Sequence, residues 1–144
     1  MSPENAPLSS SSLFPSRRAV GIGLLAGLAH LIVVAALTEW FDLSFGRNPF
    51  LVYVAVGALS LGALPAALFV EHRLVAPSIA VALALVASTY GTWSVYVAPE
   101  TIPTPVGPTP FGWYLIGWVA VVGVALIAGG VEYGIRRAMV ARGE

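Results

Sequence analysis

The 144-residue chain contains no cysteine and no lysine. Without cysteine there is no disulfide, no thiolate metal site and no cysteine redox chemistry. Without lysine, all seven basic residues other than histidine are arginine. GC-rich coding produces that bias, and it points to a prokaryotic source. Charge is scarce altogether. Only 10% of the residues are charged, whereas soluble domains carry about 25%. The formal net charge is zero, so no basic face is available to recruit nucleic acid. The two asparagines, Asn5 and Asn48, are followed by the wrong residues for a glycosylation sequon. Histidine occurs only twice, as His30 and His72, which leaves few ligands for a metal or haem.

What is there is apolar. Hydrophobic residues make up 58% of the chain, and the mean hydropathy is +0.86. They lie in four long blocks, about 18–38, 49–70, 77–97 and 111–133. A run of about 20 apolar residues spans the ~30 Å hydrocarbon core as a helix. The reading is therefore an all-α integral membrane protein with four transmembrane helices in an antiparallel up-down bundle. Residues 1–16 are rich in Ser and Pro and read as a disordered N-terminal tail. Residues 17–135 form the four-span domain, and 136–144 a short basic cytoplasmic tail.

Prolines mark the starts of the blocks: Pro15, Pro49, Pro77 and Pro110. Proline suits a first helical turn, where its missing N–H would be unpaired anyway. Asn48 and Thr109 stand where N-caps are expected. Arginine placement sets the orientation. Arg17, Arg18, Arg73, Arg136, Arg137 and Arg142 flank one side of the spans, and only Arg47 flanks the other. This positive-inside pattern places both termini in the cytoplasm and the protein in the cytoplasmic membrane as a multi-pass species. Trp40, Phe41, Tyr53, Trp93, Tyr96, Trp113 and Tyr114 form an aromatic belt at the opposite boundary. "SRRAVGIGLL" also matches a twin-arginine export signal in outline, but the apolar run is too long for a signal core and three more spans follow. The segment 98–110, with five prolines, reads as a stiff extended connector.

Membrane helices associate through close packing of small residues. Gly23 and Gly27 in span 1, Ala58, Gly62 and Ala66 in span 2, Ala80, Ala84, Ser88 and Thr92 in span 3, and Gly130 and Gly134 in span 4 each recur on one helix face. Pro65 is expected to kink span 2, because it cannot donate to the Leu61 carbonyl.

His30 is the leading candidate for chemistry. It shares a face with Gly23, Gly27 and Val34 near mid-membrane, where an ionisable residue is by default a functional hypothesis. Counting from the boundaries puts Ser60, Ser88 and Thr89 at a similar depth, with Tyr90 as a possible fifth member. No carboxylate shares that depth, so a proton relay is incomplete. His72 lies too far along the bundle to join His30 on a haem. Glu132 stands four residues before Arg136, the favourable order for an ion pair. No nucleophile–base or metal pattern emerges, so an enzyme is not expected, nor any cofactor or metal. Two functions follow. The first is a non-catalytic helix-packing protein or membrane-complex subunit, partnered by the lipid bilayer and by a second copy or another membrane subunit. The alternative is a small transporter or channel built on the His30 patch.

Overall fold

A computed structural model describes residues 15–43, 49–98 and 108–142. The expected N-terminal tail to residue 14, the Asn48 cap and most of the proline-rich connector lie outside the described residues. Among the described residues every regular element is helical. These are α1 (Arg17–Trp40), α2 (Pro49–His72), α3 (Ala76–Thr92), α4 (Pro110–Ile116) and α5 (Trp118–Arg142). A π-helical turn, Trp93–Val97, prolongs α3. Four helices are long and apolar enough to cross a membrane: Arg17–Trp40, Pro49–His72, Ala76–Val97 and Trp118–Arg142.

Local signals fix the helix starts. Ser16 caps α1, its Oγ accepting from the Ala19 N–H at 3.2 Å. Thr109 caps α4, accepting from the Gly112 N–H at 2.9 Å, with Pro110 in the first turn. Such a side-chain acceptor satisfies one of the unpaired N–H groups of a helix start. α2 ends at His72, and Arg73 adopts the left-handed conformation with φ 55°. Its N–H donates back to the Phe69 carbonyl at 2.8 Å, the geometry in which helices usually place glycine.

The fourth apolar block differs from a single continuous span. Gly117 divides it into α4 and α5. Ala120 donates to the Gly117 carbonyl at 2.9 Å, so the Ile116 carbonyl is released from its usual helical partner. The Tyr53 hydroxyl of α2 donates to that carbonyl at 2.8 Å. A side chain from a neighbouring helix thus satisfies the backbone group freed by the break, as an apolar medium requires. α5 then runs on to Arg142, so residues 136–142 continue the helix.

The core gathers around the short helix α4. Phe111 is 0% exposed and Leu115 3%. Val34, Val54, Leu61, Val81 and Ala125 from the other four helices close around them. Most remaining Leu, Ile and Val side chains point outward, a surface suited to lipid hydrocarbon and not to water. Pro65 is buried within α2, which stays helical on both sides of it.

Candidate functional site

The glycine face of α1 determines where His30 points. Gly23 and Gly27 are buried against α2. A Cβ on Gly27 would stand 2.8 Å from the Leu59 carbonyl oxygen. From the other side, a Cβ on Gly62 would stand 2.5 Å from the Ala26 carbonyl oxygen and 2.7 Å from the His30 Cβ. The two backbones therefore approach as closely as glycine allows. Positions 23, 27, 30 and 34 share one stripe of a 3.6-residue helix, so His30 follows the glycines inward.

Its partner there is Tyr114 of α4. The His30 Nε2 and the Tyr114 hydroxyl oxygen are 3.0 Å apart, and the rings are 6.3 Å apart at 49°. The phenol donates when the imidazole proton sits on Nδ1, and accepts when it sits on Nε2. Tyr114 is only 5% exposed and stacks on Phe111. Its hydroxyl thus finds a polar partner in an otherwise apolar setting, which the cost of burying a bare hydroxyl favours.

The other members of the expected patch turn to their own helices. Ser60 Oγ donates to the Val56 carbonyl at 2.8 Å, and Ser88 Oγ to the Leu85 carbonyl at 2.9 Å. The Thr89 hydroxyl is shielded from solvent without a hydrogen-bond partner among the described residues. No hydrogen bond joins His30 to Ser60, Ser88 or Thr89 among the described residues; the bond that forms is to Tyr114. Tyr90 is exposed. No group of three or more His, Cys, Asp or Glu residues converges on a metal-sized site among the described residues.

The small residues divide into two sets. Gly23, Gly27 and Gly62 lie in the α1–α2 contact, and Ala58 is buried beside it. Ala80 and Ala84 pack against the central core from α3. Gly130 and Gly134 behave differently: nothing stands within 4 Å of where their Cβ atoms would be. Gly123, two turns earlier on the same face, is equally open.

Three polar contacts were less legible from sequence. Thr92, read as a packing position, is 1% exposed and does two jobs. Its Oγ1 donates to the Ser88 carbonyl and accepts from the Phe111 N–H at 2.8 Å, holding the start of α4 against α3. Glu132 pairs with Arg136 as the spacing suggests. It also accepts from the Val75 and Ala76 N–H groups at 2.8 and 2.7 Å, capping α3. Glu71 accepts from the Ser16 N–H at the start of α1. Two packing glycines were missed as well. Gly57 makes room for the Trp118 indole, and Gly129 for the Pro77 ring. The paired glycines in "GWYLIGW" (112–118) are the signal that could have marked the break beside Trp118.

No family model matches the chain, and no curated protein or solved structure matches it either.

Proposed function

We propose that this protein is a non-catalytic, multi-pass subunit of the cytoplasmic membrane that docks another membrane helix on α5. The bundle runs up and down with both termini on the cytoplasmic side, as the arginine distribution directs. One observation carries the reading. At Gly123, Gly130 and Gly134 an added Cβ would have no atom within 4 Å among the described residues, while at Gly23, Gly27 and Gly62 that space is taken by an internal partner. Both stripes have the shape that close helix contact uses. The open one is completed by a second copy or by a separate membrane subunit.

The test is association in mild detergent and in bilayers, before and after Gly123→Leu and Gly134→Leu. A Cβ at either position has no atom within 4 Å among the described residues, so the fold is expected to survive while association is lost. Association indifferent to both would sink the proposal.

A second reading, a small transporter, draws on the His30–Tyr114 bond and on the Thr89 hydroxyl, shielded without a partner among the described residues. Ion or solute flux in liposomes, with and without His30→Ala, decides it. Flux that ignores the substitution excludes a role for that pair.

A further inference from the structure

α2 and α5 face each other near the end of the molecule where Glu71 meets Ser16 and Glu132 meets Val75. Two grooves open between them and join. The first, of about 270 Å³, is apolar, floored by Gly129 and Gly130 and walled by Leu68, Leu74 and Leu126. The second, of about 430 Å³, is lined by Arg136, Arg137, Val140 and Ala141. His72 and Tyr133 line both, with their rings 6.4 Å apart edge to face. Hydrocarbon-facing slot and cationic mouth are therefore one continuous feature.

Its length fits a single leaflet. From Leu126 to Arg137 is eleven residues, about 16 Å at the helical rise. Half of the ~30 Å hydrocarbon core is about 15 Å. Its charge is also one-sided. Arg136 is engaged by Glu132, but Arg137 makes no hydrogen bond or ion pair among the described residues. Arg73 directly follows His72, and Arg17 and Arg18 follow Ser16, which bonds Glu71 beside His72. Basic pockets between membrane helices at the interface suit phosphate headgroups.

We propose that this groove binds one anionic phospholipid. An acyl chain lies in the slot over Gly129 and Gly130, and the phosphate sits between Arg137 and His72. Gly130 belongs both to this groove and to the stripe on α5, but the proposal rests on the groove's lining and charge and does not depend on the docking reading.

The experiment reconstitutes the full chain in vesicles of equal parts phosphatidylglycerol and phosphatidylcholine. Lipid retained after transfer to detergent is then measured by native mass spectrometry. Phosphatidylglycerol is expected to exceed phosphatidylcholine about five-fold, the factor that one arginine–headgroup pairing supplies. Arg137→Gln is expected to remove the preference. Leu126→Trp, which fills the slot from a half-exposed position, is expected to reduce retention of both lipids. Excess inorganic phosphate is expected to displace nothing. Equal retention of the two lipids by the unmodified chain overturns the proposal. So does a preference that survives Arg137→Gln. Displacement by inorganic phosphate reassigns the mouth to free anions and overturns it equally. Because the headgroup comparison needs no substitution, it decides even where a variant fails to fold.

Discussion

The two glycine stripes, one between α1 and α2 and the other along α5, look alike in sequence and behave oppositely in the fold. In the first, each glycine removes an atom that would otherwise strike a carbonyl oxygen or a Cβ across the contact. In the second, Gly123, Gly130 and Gly134 remove atoms that would strike nothing. A small-residue pattern therefore reports that a helix can be approached closely. It does not report from where. The partner decides, and for α5 the proposed partner is a second copy or another membrane subunit.

Substitutions sharpen the contrast in a graded order. Gly62→Leu is expected to be the most damaging, because the new side chain starts 2.5 Å from the Ala26 carbonyl oxygen. A backbone atom cannot step aside as a flexible side chain can, and a loss of about 3 kcal/mol or more is expected. Unfolding titrations in mixed micelles would measure it. A tolerated Gly62→Leu would mean that the α1–α2 contact is looser than described.

Glu132→Ala should come next. It strips the acceptor from the Val75 and Ala76 N–H groups, and losing a helix cap is destabilising. Hydrogen exchange should rise at the start of α3 and not at the start of α4, which Thr109 and Thr92 hold. Uniform exchange across both would argue against a specific cap.

Tyr114→Phe removes the hydroxyl facing His30 while keeping the ring. Hydrogen bonds between membrane helices contribute about 0.6 kcal/mol on average. A double-mutant cycle with His30→Ala is expected to return a coupling of that size. Zero coupling would show that the 3.0 Å approach contributes nothing. Smallest of all is the effect of Gly134→Leu on the stability of the isolated chain, expected within about 0.5 kcal/mol. A large loss there would erase the difference between the two stripes.

The four apolar helices were readable because hydrophobic length alone specifies a span. His30 was readable as an inward position because it shares a stripe with Gly23 and Gly27. Its partner was not. Depth counting paired it with hydroxyls in α2 and α3, but Ser60 and Ser88 bond to their own helices. Short hydroxyl side chains reach the preceding turn more easily than a neighbouring helix. Tyr114 was assigned to the outer belt because its apolar block looked continuous. The break at Gly117 creates the separate helix α4, whose Tyr114 reaches inward to His30. Glu132 shows the same limit in another form. The i, i+4 pair with Arg136 is local and visible in the sequence, while the cap on α3 is a tertiary contact between residues 56 and 57 positions apart.

The docking role of α5 is tested most directly by cross-linking in native membranes. The chain has no cysteine of its own, so one introduced thiol reports a single position. Ile127 lies on the open glycine face and is 69% exposed, while Leu83 is similarly exposed on a different helix, α3. Ile127→Cys is expected to give a discrete adduct, with a second copy or with one companion subunit. Leu83→Cys is expected to give none, and adding Gly134→Leu should abolish the Ile127→Cys adduct. Equal cross-linking at both positions, or none at Ile127→Cys, would contradict a partner on α5.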